Sequence, residues 1–318
     1  MSRLLISLSF ACAAVLSNIG TVEAQTTGTI KRVQLAQSQV AAIRGTLRDG
    51  MNALTKKDTA RALAIRAGMR PGSLERKVLA WAIAISPSAR PAAGDIAKIA
   101  RDLADWPGQT AMRRNLERAL VRAKASDQTI INTLGGQTPS SDTGKRALAL
   151  AYMRTGQRER AARIIRPWWH TSKLNTADQA KYAKQFAPLL RKADHKRRMD
   201  WLLYQDRAKA AVALAPLANA QSLAAGRAAV SRKSKNAPTA LSKVHPSLKN
   251  DPSYLFSRIQ WLRRADRHRE AAELLLKAPK NSNVLIDRDE WWIERRIVSR
   301  AMLDRGDART AYQIAAGH

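Results

Sequence analysis

Apolar and polar positions along this chain recur in one arrangement: an apolar helix end, a polar break of three or four residues, then a helix that opens on alanine. Five windows carry it: ALTKKDTARAL from Ala53, AYMRTGQRERAA from Ala151, WLLYQDRAKAA from Trp201, WLRRADRHREAA from Trp261 and AMLDRGDARTAY from Ala301. In four of them Gly156, Asp206, Asp266 or Gly306 stands five residues before an alanine: Ala161, Ala211, Ala271 and Ala311. Glycine supplies the positive φ that closes a helix, and aspartate is a tolerated substitute that can also cap the next one. The alanine lets two helices approach closely. The windows therefore predict helix–turn–helix pairs of the tetratricopeptide kind.

The spacing between these alanines is 50, 60 and 40 residues, which no consensus repeat would tolerate. The expected architecture is an all-α, degenerate solenoid of antiparallel helix pairs. Breakers separate the pairs: Ser86-Pro87, Trp106-Pro107-Gly108, Gly135-Gly136, Arg166-Pro167 and the basic run from Ser231 to Pro238. Composition agrees with helices. Of the 318 residues 45% are hydrophobic, with much alanine, and only 5% are aromatic, so strand-forming runs are scarce.

The first 24 residues change how the rest is read. Arg3, an apolar stretch from Leu4 to Leu16 and the exit Val22-Glu23-Ala24 have the layout of a secretory leader cleaved after Ala24. Cys12, the only cysteine, lies inside that leader, so the mature chain carries no disulfide. Residues 25–44 are polar and weakly periodic, a flexible lead-in, and the helical domain is expected over 45–318. No later stretch approaches the roughly 18 apolar residues of a membrane span. The expected location is the periplasm.

The net charge of +31 asks for an acidic partner. Export moves nucleic acid out of first place and puts the cell-wall glycopeptide, with its free carboxylates, ahead of it. The basic clusters Arg191–Arg198 and Trp261–Arg269 also lack the interleaved aromatics of a single-strand stacking platform. Even spreading of the remaining basic residues is equally the mark of a solvated helical surface.

Catalytic patterns are missing. His170, His195, His245, His268 and His318 are scattered, with no zinc-protease or clustered-ligand spacing, and read as surface or packing residues. No nucleophile elbow, phosphate loop or dinucleotide fingerprint occurs. Trp291-Trp292 fits a sugar platform, but at the head of a helix it fits packing better. No catalytic residue, metal ligand or cofactor site is assigned.

The C-terminal motifs carry a resemblance. WW-x-ERR (Trp291 to Arg296), L-D-x-G-D (Leu303 to Asp307) and Ala311-Tyr312 look like the soluble lytic murein transglycosylases. The stretch from Asn250 to Pro279, Asp105-Trp106-Pro107 and Arg113 to Leu120 are similar to further landmarks of that family. The likeness covers about residues 45 to 318, with Asp266 where the family usually has glycine. It implies a U-shaped α-superhelical domain in the periplasm, joined in the family to a separate lysozyme-like domain. That second domain cleaves peptidoglycan glycan strands, leaving anhydromuramoyl ends, with one glutamate in an E-S motif and a later G-L-M-Q.

Neither motif occurs here. The glutamates after the leader are Glu75, Glu117, Glu159, Glu270, Glu273, Glu290 and Glu294, none followed by serine. Most stand among arginines, which favour the ionised form and work against a general acid. The chain is therefore expected to be the non-catalytic superhelical portion of such an enzyme, inactive by itself, with peptidoglycan and possible cell-wall enzymes as partners. The alternative is a stand-alone basic module that binds peptidoglycan or wall proteins without cutting. The last window ends with Ala311, Tyr312, Ile314 and Ala315 set out for a further helix, so the pattern reads as cut off at His318.

Overall fold

A computed structural model describes residues 35–281 and 284–317. The leader, Cys12, the first part of the lead-in and His318 lie outside the described residues. Within them the chain is all-helical, with no strand. The first group of helices is α1 (Leu47–Thr55), α2 (Thr59–Gly68), α3 (Leu74–Ile85), α4 (Ala93–Asp102), α5 (Gln109–Arg122) and α6 (Asp127–Leu134). It continues with α7 (Asp142–Arg154), α8 (Arg158–Thr171), α9 (Thr176–Gln185), α10 (Lys192–Tyr204), α11 (Ala208–Ala218) and α12 (Gln221–Ser231). Then come α13 (Ala237–Ser242), a short 3-10 turn at Pro246–Leu248, α14 (Pro252–Arg264), α15 (His268–Leu276), α16 (Arg288–Asp304) and α17 (Ala308–Ala315). No helix among the described residues is long and apolar enough to cross a membrane.

Each of the five sequence windows falls on a helix pair: α1–α2, α7–α8, α10–α11, α14–α15 and α16–α17. The turns share one closure. Gly156, Asp206, Asp266 and Gly306 all have positive φ, between 53° and 81°. In each case the next residue sends its N–H back to the carbonyl five positions earlier. Gln157 reaches Tyr152 at 2.7 Å, Arg207 reaches Leu202 at 2.9 Å, and Arg267 and Asp307 reach Leu262 and Met302 at 3.0 Å. This is a Schellman closure, which satisfies carbonyls that a helix end leaves open.

The same closure follows Lys57, Lys124, Asn219 and Lys233, with φ between 51° and 61°. The three lysines were not legible, because lysine has no preference for the left-handed region and costs about 1–2 kcal/mol there, whereas asparagine tolerates it. Tertiary packing imposes it. Five residues after Lys57 and Asn219 come Ala62 and Ala224, both fully buried like Ala161, Ala211 and Ala271. Small side chains at these points allow the close contact between paired helices that the turn demands.

Packing is sequential. Extensive helix–helix contacts join only helices one or two apart along the chain. The core runs as three successive clusters, the first over α1–α3 and the longest from α3 to α14. The third covers α14–α17 together with Tyr204 of α10. Residues 35–46, the described end of the polar lead-in, carry no helix. Their backbone is bonded to the helices: Gly94 N–H reaches Ala36 at 2.8 Å, Ile43 N–H reaches Ala64 at 3.1 Å, and Ser38 N–H reaches Asp95 Oδ2 at 3.0 Å.

Two expectations need correction. Arg166-Pro167 does not break the chain; α8 runs through it. Pro167 itself is exposed and lacks the N–H that would bond the preceding turn. Burial of Trp168 and Trp169 just beyond offsets a cost of about 3 kcal/mol. At the other end, Ala311 and Ile314 do not wait for a further helix: both are buried in the cluster of α14–α17. Tyr312 does stand out, at 73% exposure.

Buried charges tie helix ends together. Glu117 of α5 is completely buried and accepts the backbone N–H groups of Ser140 and Ser141 at 2.7 Å, and the Ser141 hydroxyl. Its carboxylate thus sits at the N-terminus of α7, where the helix dipole favours negative charge. Arg198 of α10 does the converse. Its buried guanidinium donates to the carbonyls of Trp169 at 2.5 Å and Ser172 at 3.1 Å, closing the C-terminus of α8.

Candidate functional site

The densest polar chemistry lies on α10. Arg191 precedes the helix, and its N–H donates to Asp194 Oδ2 at 2.9 Å, which fixes the entry. Ala193, Arg197, Asp200 and Tyr204 then follow at spacings of three or four and share a helix face. They line a hollow of about 380 Å³, with His170 of α8 and with Asp251 and Ser253 at the start of α14. A second hollow of about 960 Å³ shares Arg197 and Ile286 with the first and adds Asp287, Arg288 and Trp292 at the head of α16.

Three arrangements hold the first hollow. His170 Nε2 meets Asp194 Oδ1 at 2.9 Å, and Arg166 Nε lies 3.5 Å from Oδ2. Burial lowers the His170 pKa and outweighs the pull of Asp194 in the other direction. Burial by itself would raise Asp194, but the Arg191 N–H, His170 and Arg166 together bring it below the ordinary value. At neutral pH the pair is therefore a neutral imidazole donating to a carboxylate, not an ion pair.

Next along the helix, Lys196 bridges Asp200 and Asp251, the latter at 2.9 Å. Asp200 is buried, which raises its pKa against the lowering effect of Lys196 and Arg227. Arg227 of α12 stands 3.7 Å from Asp200 and stacks over the Tyr204 ring at 4.2 Å. At the base, Tyr204 packs edge-on against Phe256 of α14, which packs against Trp291 of α16. Burial pushes the Tyr204 hydroxyl up to about 12, so it stays protonated.

Catalysis is poorly served by this geometry. His170 with Asp194 has the form of a base and its orienting group, and Ser253 lines the same hollow. No hydrogen bond joins the Ser253 hydroxyl to His170, and that link is what activates a serine nucleophile. Asp200 has the raised pKa of an acid, but its carboxylate is engaged by Lys196 and Arg227 rather than free to pass a proton. Among the described residues no group of three or more His, Cys, Asp or Glu side chains could hold a metal ion. Recognition is served better: the second hollow sets the Trp292 indole beside arginines and aspartates, and the first sets Lys196 and Arg197 beside three aspartates, chemistry that orients a polar ligand such as a sugar.

The residues weighed from sequence fall as follows. Trp291 is buried packing, whereas Trp292 is 38% exposed and lines the second hollow, so the pair divides between the two readings. His195 packs edge-on against Trp169, and His245 caps the 3-10 turn through Ser247. His170 is the histidine brought into the cleft, through a carboxylate whose partnership no spacing rule reveals. Glu294 is buried and held by Arg263 at 2.7 and 2.8 Å, and Glu270 is lowered by Arg267, as neighbouring arginines should do. Glu290 is the exception. Burial, with Asp287, Asp206 and Glu294 nearby, raises its pKa against Arg264. Its position at the exposed head of α16 places it in neither hollow.

Set against known family models, curated proteins and solved structures, the chain finds no match in any of the three.

Proposed function

We propose that these helices form a superhelical, non-catalytic scaffold of the lytic murein transglycosylase kind, working in the periplasm on peptidoglycan and holding glycan without cutting it. The observation that carries this reading is the repeated Schellman-closed helix pair with a buried alanine at a fixed offset. Together with contacts confined to helices one or two apart, it suits a solenoid, whose repeats bury their faces on their neighbours. The sequence motifs around Trp291 and Leu303 supply the family. The cleft beside α10 supports a binding role, since it offers a rim indole and mixed charges. Net charge of +31 adds a long-range attraction to an acidic polymer.

Cosedimentation of the purified chain with isolated peptidoglycan across a salt series tests this. The expected result is binding at low salt that fades as salt screens the charge, and no anhydromuramoyl products in a digest analysed by mass spectrometry. Failure to sediment at low salt, or product release abolished by changing one of the seven glutamates to glutamine, overturns the reading.

A further inference from the structure

A separate groove of about 670 Å³ lies between the α12–α13 turn and the α14–α15 hairpin, and it shares no lining residue with the cleft beside α10. One wall is apolar, built from Val230, Ala237, Ile297 and the indole of Trp261. Arg267 lies over the Trp261 ring at 5.3 Å and helps to fix it in place. The rim carries Lys233, Arg264, Asp266 and His268. Arg263 also borders the groove, but its guanidinium is spent on Glu294 through two hydrogen bonds of 2.7 and 2.8 Å.

The remaining charges decide what fits. Arg264 donates one nitrogen to the Val230 carbonyl at 2.6 Å, which anchors the guanidinium at the groove and leaves its other donors without a protein acceptor among the described residues. Lys233 is held in a left-handed turn, its neighbour Ser234 bonding back to Ala229 at 2.9 Å, so the base of its side chain cannot swing away. His268 borders the groove with its ring, although its Nδ1 is shut off from solvent, which leaves Nε2 as the nitrogen for a ligand. Asp266 is the one rim carboxylate. Lys233 and Arg264 against that one carboxylate leave a single positive charge among the unpaired lining side chains, with Asp206 and Glu290 bearing on Arg264 from outside the lining. A neutral ligand would leave that charge unmatched, and a polyphosphate would meet Asp266. A monoanion with hydroxyl groups on a ring satisfies all four side chains and covers the apolar wall.

We propose that this groove binds a sugar acid, with its carboxylate between Lys233 and Arg264, its hydroxyls on Asp266 and His268, and its ring against the Trp261 wall. The volume suits one or two sugar rings, within the roughly 300–1,000 Å³ of small-molecule sites. The proposal does not depend on the cell-wall reading, because it rests on the groove alone.

Calorimetric titration of the full chain with glucuronate, glucose and inorganic phosphate tests it. Glucuronate is expected to bind, with glucose weaker by about tenfold or more for want of the charge-assisted bonds. Phosphate is expected not to displace glucuronate. Lys233→Gln, at an exposed turn outside the core, should weaken glucuronate by about tenfold and leave the fold intact by circular dichroism, and Arg264→Gln should do the same to binding. No glucuronate binding, equal binding of glucose, displacement by phosphate, or unchanged affinity in Lys233→Gln would each overturn the proposal.

Discussion

Trp291 and Tyr204 stand 87 residues apart and are joined by one hydrogen bond, the indole Nε1–H donating to the phenol oxygen at 3.0 Å. Elsewhere helices make extensive contact only with those one or two along the chain, so this bond from α16 to α10 is a long-range tie. Phe256 of α14 fills the space between the two rings. Replacing Tyr204 with Phe keeps the packing and leaves a buried N–H without an acceptor, which costs about 1–3 kcal/mol. Trp291→Ala removes the whole contact and should cost about 3–5 kcal/mol. Urea unfolding measures both; a Tyr204→Phe protein as stable as the parent would show that the bond does not hold the two helices.

The left-handed turns make a second comparison. Lys57 and Lys124 occupy a conformation that glycine adopts freely, so Lys57→Gly and Lys124→Gly should each stabilise the fold by up to about 1 kcal/mol. Gly156→Ala should destabilise by about 1–2 kcal/mol, and through conformation alone, because an added Cβ meets nothing within 4 Å. Thermal unfolding of the three variants is the measurement, and the same sign for all three would contradict the argument.

Gly144 is needed for another reason. A Cβ there would stand 2.5 Å from Glu117 Oε2, the buried carboxylate that holds the start of α7. Gly144→Ala should therefore cost about 1–3 kcal/mol by overpacking. Glu117→Ala should cost at least as much, since two serine N–H groups lose a charged acceptor. Combined, the two changes should cost less than their sum, because the clash disappears with the carboxylate. Strict additivity in chemical denaturation would refute the contact.

Acid should weaken the contact between α8 and α10. The folded-state pKa of His170 lies below its ordinary 6.5, so the unfolded chain binds a proton first. Stability from the neutral, buried imidazole is present above that value and is lost as the pH falls below it. Asp194, also lowered, adds a further loss as the pH drops below its ordinary 3.8. The cations around this pair, Arg166, Arg191, Arg197 and Arg198, oppose a second positive charge on the imidazole. His170→Asn should flatten the decline between about pH 7 and 5. An unchanged slope in pH-dependent unfolding would remove His170 from the account.

Two glutamates should titrate on opposite sides of the ordinary value of 4.5: Glu290 above it, from burial and its acidic neighbours, and Glu270 below it, from its bond to Arg267. Carboxyl chemical shifts followed by NMR report each midpoint, and a Glu290 midpoint at or below that of Glu270 would contradict the environment described for α16.

The sequence by itself determined the helical class, five helix pairs and four of the left-handed closures, because these depend on local chemistry. Glycine or aspartate before a turn, alanine after it and apolar recurrence at helical spacing act within a dozen residues. It favoured packing over a sugar platform for Trp291-Trp292, which holds for the buried Trp291 but not for the partly exposed Trp292. Only the tertiary structure decided the remainder, because there the deciding energy is long-range burial. Lys57 and Lys124 turn left-handed against their own preference since the helices they join must pack. Pro167 stays inside α8 because Trp168 and Trp169 gain more by burial than the missing N–H costs. His170 finds Asp194, Lys196 finds Asp251, and Tyr204 finds Trp291 across gaps of 24, 55 and 87 residues, and no periodicity spans such distances.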